Sequence, residues 1–201
     1  MIKAIIFDLG GVLVTDVFAY FDPWLASQLG VPENDVREAR KKHWLDYKLG
    51  RVNGAAFVKR IIDDVGGKAD ARSMFEESYS FVTIKPEMTN VVADLRKTGK
   101  YKLAVLSNNG NEWSDYSRKT MRLGTFFDVW ISSSKVHLKK PDAGIYLLAA
   151  KKLKVEASEC VFIDNLKRNV EGAVACGMKG ILFKDADRLI PELKKIGVAA
   201  R

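Results

Sequence analysis

Four polar clusters in this sequence, three of them closing an apolar run, are of the types that can handle an anion together. Asp8 ends the apolar stretch 2–7, and Gly10 and Gly11 follow at once. Ser107-Asn108-Asn109-Gly110 follows the stretch 102–106, and Asp164-Asn165 follows 160–163. Lys140 stands just ahead of Pro141-Asp142. A carboxylate nucleophile, a hydroxyl, a lysine and further carboxyl or amide oxygens are what phosphoryl transfer through an aspartyl-phosphate requires. Charge in that reaction sits on the non-bridging phosphoryl oxygens, so catalysis is mostly positioning and neutralisation. A hard dication suits that task, and Mg²⁺ binds through one or two carboxylates while keeping several waters.

The elements that must position these groups follow from the apolar pattern. A run apolar at nearly every position, such as 2–7, reads as a parallel strand buried on both faces. The same grammar returns at 102–106, 128–131, 160–163 and 180–183. Helical patterns separate these runs: Val91, Val92 and Leu95, ending near Gly99; Ile145, Leu148 and Ala149; and Val170, Ala173 and Val174, closed by Gly177. Such alternation predicts a three-layer, Rossmann-like α/β core with a parallel sheet. Ligands of open α/β sheets bind beyond the carboxyl ends of the strands, where Asp8, Ser107 and Asp164 fall. Gly10 and Gly11 allow the sharp turn after the first strand. Residues 16–83 break the alternation and read as helices only, with Asn53 a plausible N-cap. The expected domains are therefore a core of 1–15 and 84–201 and a helical insertion of 16–83.

Bulk properties narrow the classes. With 47% hydrophobic and 29% charged residues, the 201-residue chain has a globular composition. No apolar stretch approaches the roughly 20 residues of a bilayer span, and no signal peptide is evident, so a cytoplasmic protein is expected. Cys160 and Cys176 lack metal-ligand spacing and read as reduced core thiols. The net charge of +8 comes without a nucleic-acid motif, so the basic runs read as solvated helix faces, while an excess of positive charge can draw in anionic substrates. No Gly-Lys-Ser/Thr follows a strand, which excludes a P-loop. Monomer and homodimer both stay open.

Taken in order, Phe7-Asp8-Leu9-Gly10-Gly11-Val12-Leu13, Leu106-Ser107-Asn108, Lys140-Pro141-Asp142 and Val161-Phe162-Ile163-Asp164-Asn165 with Asn169 and Gly172-Ala173 form a diagnostic series. By these motifs the chain resembles the haloacid dehalogenase superfamily, in its phosphatase-like group with a helical cap inserted after the first strand. The resemblance covers essentially the whole chain. It implies Mg²⁺-dependent hydrolysis of a small phosphorylated metabolite, with Asp8 as nucleophile and metal ligand. Gly10 would lend the metal its carbonyl oxygen, Ser107 and the Asn108 amide would bind a phosphoryl oxygen, and Lys140 would neutralise charge. Asp164 and Asn165 would form the metal-binding turn, and Gly11, Asn109 and His43 are further substrate-binding candidates.

Two positions depart from that pattern. Gly10 stands where most phosphatases of the superfamily carry a second aspartate for proton transfer, a contribution typically worth about 10²–10⁴ in rate. Without it, leaving groups of low pKa such as acyl phosphates or sugar 1-phosphates are favoured. Asn165 replaces the carboxylate that commonly ligates the metal, so weaker Mg²⁺ binding is expected. The same changes open two other readings: a metal-independent 2-haloacid dehalogenase, and a catalytically silent binding or scaffold protein. In the insertion, His43, Trp44 and Tyr47 fall on one helix, and His43 is a candidate proton donor. His137, near Lys140, is another. The aromatics, with Trp113 and Tyr116, read first as packing residues.

Overall fold

In the computed structural model, which describes residues 1–199, β1 (Ala4–Phe7) lies at the centre of the molecule with all four residues buried. The chain then passes through a loop into four helices, α1 (Phe18–Leu29), α2 (Glu33–Lys48), α3 (Gly54–Asp64) and α4 (Ala71–Glu77). It returns through α5 (Pro86–Lys97) to β2 (Lys102–Ser107). After these come α6 (Asn111–Asp115), β3 (Val129–Ser132), α7 (Ser133–Val136) and α8 (Ala143–Leu153). β4 (Cys160–Asp164), α9 (Lys167–Ala175), β5 (Lys179–Leu182) and α10 (Ala186–Lys195) complete the order.

The five strands form one parallel sheet in the order β3-β2-β1-β4-β5. Alternation along β1 divides the core between the two faces of the sheet. Ile5 and Phe7 belong to a cluster that includes Val91 and Leu95 of α5, Leu189 and Leu193 of α10, and the interior of the four-helix insertion. Ala4 and Ile6 face Ile145 and Ala149 of α8 and Ala173 of α9. This is the three-layer α/β arrangement expected from the strand and helix patterns; the end of β1 and the starts of β2 and β4 fall where expected, and the other strand boundaries lie a residue or two away.

Register fixes the functional edge. Phe7 pairs with Val105 of β2 and Ile163 of β4, so the residues that follow emerge side by side at the carboxyl end of the sheet. The Asp8 amide continues the ladder, donating to the Ile163 carbonyl at 2.8 Å.

Within the insertion, Asn53 caps α3 as expected, its Oδ1 accepting the Ala56 amide at 2.8 Å. The last α-helix, α4, ends at Glu77 and tightens into a 3₁₀ turn, Ser78–Phe81. There the Ser78 hydroxyl bonds back to the Phe75 carbonyl and accepts the indole N–H of Trp113 at 2.7 Å. A hydroxyl competing for helical carbonyls favours such a termination. Both cysteines are free thiols, but only Cys160 is in the core; Cys176, at the end of α9, is half-buried. No helix is long and apolar enough to cross a membrane among the described residues.

Candidate active site

Asp8, Lys140 and Asp164 meet at the centre of the sheet edge. Lys140 Nζ donates to Asp8 Oδ1 at 2.7 Å and to Asp164 Oδ2 at 2.6 Å, with all three side chains buried. Burial alone would lower the ammonium pKa, but Asp8 and Asp164 outweigh it and push Lys140 above its ordinary value, so it stays charged. Burial raises the Asp8 carboxyl to about 6, against the pull of Lys140 and with the charge of Asp164 adding to the rise. Asp8 also lines the adjoining cavity. One carboxylate oxygen is thus held by a cation while the side chain as a whole faces space for a ligand.

The lysine is itself held from two sides. Asn108 Nδ2 donates to the Lys140 carbonyl at 2.9 Å, and the Lys140 amide donates to Asn108 Oδ1 at 2.8 Å. Asn108, expected to bind substrate through its own amide, thus also fixes the backbone that carries the ammonium. Ser107 ends β2, is buried, and lines the cavity as expected. Asn109 lines it too, its amide donating to Ser133 Oγ at 3.0 Å and its carbonyl accepting from Ser132 Oγ at 2.9 Å. Ser132, which ends β3, and Ser133, which begins α7, therefore set the loop after β2.

Asp164, expected as a metal ligand, has another task. Its Oδ2 accepts from both Lys140 and Asn169 Nδ2, the latter at 2.9 Å, and its Oδ1 accepts the Leu166 amide at 2.8 Å. Three donors hold it as the anchor of Lys140. Asn165, the next residue, fits a metal better. Its Oδ1 is buried without a hydrogen-bond partner, the state of an oxygen atom that awaits a ligand. Asp8, the Gly10 backbone and Asn165 all line the same cavity, giving a hard-oxygen donor set of the kind Mg²⁺ takes. That set contains one formal charge, and no cluster of three or more His, Cys, Asp or Glu suited to a metal exists among the described residues.

Gly11 does not line the cavity, contrary to expectation. At φ +81°, a Cβ there would stand 2.4 Å from Asn165 Nδ2, so glycine is required to let the Asn165 side chain lie across the turn. The Gly11 carbonyl accepts from Lys85 Nζ at 2.8 Å, which ties the loop after β1 to the segment leading into α5.

Helix α2 closes the cavity from the other side. Arg40, Trp44 and Lys48, spaced four apart, face it together with Lys41. Phe18, Trp113 and Arg168 contribute to the same walls, and the cavity volume is about 510 Å³. His43 does not contribute. One residue before Trp44, it is turned toward α3, where its Nε2 lies 2.9 Å from Asp64 Oδ2. The expectation that it binds substrate or donates a proton is therefore corrected by the phase of the helix. His137 is also engaged elsewhere, its Nδ1 being 2.8 Å from the Leu49 carbonyl. Trp113 and Tyr47 are buried packing residues, as read from the sequence. The cavity-facing series 40, 44 and 48 was present as a helical spacing but was masked by the more conspicuous His43 and Tyr47.

Known proteins show what the chain is similar to. A family model described as haloacid dehalogenase-like hydrolase matches residues 2–177. Bifunctional epoxide hydrolase 2 of Sus scrofa is 27% identical, over 97% of this chain but 39% of that protein. The chain thus spans about two fifths of that relative's length. Phosphatase MT3486 of Mycobacterium tuberculosis is also 27% identical, over 98% of this chain and 95% of that protein. The HAD family enzyme bt-2542 of Bacteroides thetaiotaomicron, solved with magnesium and inorganic phosphate, superposes with a TM-score of 0.73. The alignment covers 94% of this chain and 99% of that one at 20% identity, a likeness of fold.

Proposed function

The chain belongs to the haloacid dehalogenase-like hydrolases, and from that premise we propose that it hydrolyses small phosphate monoesters through an aspartyl-phosphate on Asp8. The observation that carries this reading is the Lys140 ammonium shared between Asp8 and Asp164 at the floor of a cavity. The cation holds the nucleophile in one orientation and offsets charge where the phosphoryl group would sit. A phosphatase relative that aligns along almost its whole length supports the choice of phosphate esters.

In the first step an Asp8 carboxylate oxygen attacks phosphorus, the P–O bond to the alcohol breaks, and the alkoxide takes a proton from water, since Gly10 offers none. In the second, water attacks the phosphorus of the acyl phosphate, releasing inorganic phosphate and restoring the carboxylate. Ser107 and Asn108 line the cavity where phosphoryl oxygens would lie. Asp8, the Gly10 carbonyl and Asn165 Oδ1 would hold Mg²⁺, which when bound supplies further neutralisation of those oxygens. The four-helix insertion acts as a cap that shelters the phosphorus from bulk water.

The test is phosphate release from a panel of monoesters, with and without Mg²⁺, by the wild type, Asp8→Asn and Asn165→Asp. Metal-dependent release that vanishes in Asp8→Asn, with a lower Mg²⁺ requirement in Asn165→Asp, is the expected result. Metal-free halide release from 2-chloropropionate would replace this reading with a dehalogenase, and silence in both assays would replace it with a binding role.

A further inference from the structure

The charges around the cavity do not balance. Five cationic side chains line it, Arg40, Lys41, Lys48, Lys140 and Arg168, against the carboxylates of Asp8 and Asp16. Three of the cations are already paired. Lys140 bridges Asp8 and Asp164, Arg40 Nε donates to both carboxylate oxygens of Asp22 at 2.8 Å, and Lys41 meets Glu38 at 2.7 Å. Lys48 and Arg168 pair with no carboxylate among the described residues.

These two come from opposite sides of the cleft. Lys48 is the last residue of α2, and its carbonyl accepts from Ser133 Oγ at 2.5 Å, which pins the end of the helix to the core. Arg168 lies in the first turn of α9, directly after the Asp164-Asn165 turn, and is exposed toward the opening. They are close enough for mutual repulsion to be felt. The Lys48 ammonium is held below its ordinary pKa by burial first, then by the charges of Lys139 and Arg168. Asp142, the carboxylate that faces Lys48, is itself held by Lys139 at 2.7 Å. Asp16, on the far wall, accepts the Phe18 amide and bears on Asp22. A fold that brings two uncompensated cations together at a cavity opening carries an energetic cost, and an anion between them relieves it.

We propose that Lys48 and Arg168 form a second anion subsite, so that the substrate is a phosphate ester carrying another anionic group, a carboxylate or a second phosphate. The inference rests on the phosphatase reading of the same cavity and names its substrate class. The phosphoryl group lies at Asp8 and Lys140, the second anion lies at the opening, and the linking carbons run past Trp44 and Phe18.

Calorimetric binding to the Asp8→Asn protein in Mg²⁺ tests this. The ligands are propyl and pentyl phosphate, their ω-carboxylates and their ω-phosphates. The bis-anionic ligands are expected to bind about tenfold tighter or more at the favoured length, with a loss of about tenfold for each cation removed. The advantage should shrink in Lys48→Gln and in Arg168→Gln and disappear in the double variant. Preference for the ω-carboxylate assigns a phosphorylated acid, and preference for the ω-phosphate a bisphosphate. Equal affinity for charged and uncharged tails, no measurable binding of any bis-anionic ligand, or an advantage that survives in the double variant overturns the subsite. Turnover of the same esters by the wild type is read separately. Binding preference without hydrolysis would overturn the phosphatase reading and leave the subsite standing.

Discussion

Position 10 shows how a single side chain decides what this site can do. Nothing lies within 4 Å of where a Gly10 Cβ would stand, and the residue is outside the left-handed region, so Gly10→Asp is accommodated. The added carboxylate is expected to raise kcat on alkyl phosphates by about 10²–10⁴, with little change for activated aryl phosphates whose leaving groups need no proton. Steady-state rates on both ester classes check this, and equal gains on both would refute it. Asp8 gives a pH signature. Its carboxyl titrates at about 6 in the fold, chiefly through burial, against 3.8 in the unfolded chain. The protonated form therefore contributes stability that is present below 3.8 and lost as pH rises through about 6. In EDTA, urea titrations should show Asp8→Asn gaining stability relative to wild type between about pH 4 and pH 7.5; a constant difference would contradict the shift. Asp8, Ser107 and Lys140 were legible in the sequence because each stands next to a strand end or a loop marked by glycine or proline. The role of Asn108 was only half legible, since its two bonds to the Lys140 backbone join residues 32 positions apart.

At the scale of elements, the insertion and the core are joined by bonds that no local pattern announces. Glu112 of α6 accepts the amide of Gly54, the first residue of α3, at 2.8 Å, an orphan donor that the chain next to it does not satisfy. Gly54 in turn has no room for a side chain, since a Cβ would stand 2.2 Å from Cζ of Phe75. Ser133 and His137 receive the end of α2 in the same way. Glu112→Ala is expected to lower unfolding stability by about 1–3 kcal/mol, as a charged acceptor is lost from the amide of a buried residue. Glu112→Gln, which keeps the oxygen, should recover most of it. Urea unfolding of the two variants checks the order, and equal losses would contradict the assignment. The helical phase that turns His43 toward Asp64 belongs to this scale as well. Spacing placed His43 and Tyr47 on one face of α2, but which face looks into the cavity depends on how the helix packs on α1 and α3.

Across the whole molecule, the parallel sheet was readable because its central strands are apolar on both faces and end in polar residues. The cavity was not, because its walls come from α2, the loop after β1, and the starts of α6 and α9, which only the folded chain brings together. The excess of positive charge acts at this scale too. With a net charge of +8 and cations in the majority around the opening, kcat/KM for anionic esters should fall several-fold from low salt to about 0.5 M NaCl. Salt-independent kinetics would show that the field plays no part in substrate capture. The central claim is that Asp8 carries the phosphoryl group between the two half-reactions, and acid quenching during turnover of a phosphate-labelled ester in Mg²⁺ tests it most directly. Label retained on the peptide that contains Asp8, released by hydroxylamine and absent from Asp8→Asn, is the predicted result. Continued phosphate release with no label on that peptide, or undiminished release by Asp8→Asn, would contradict it.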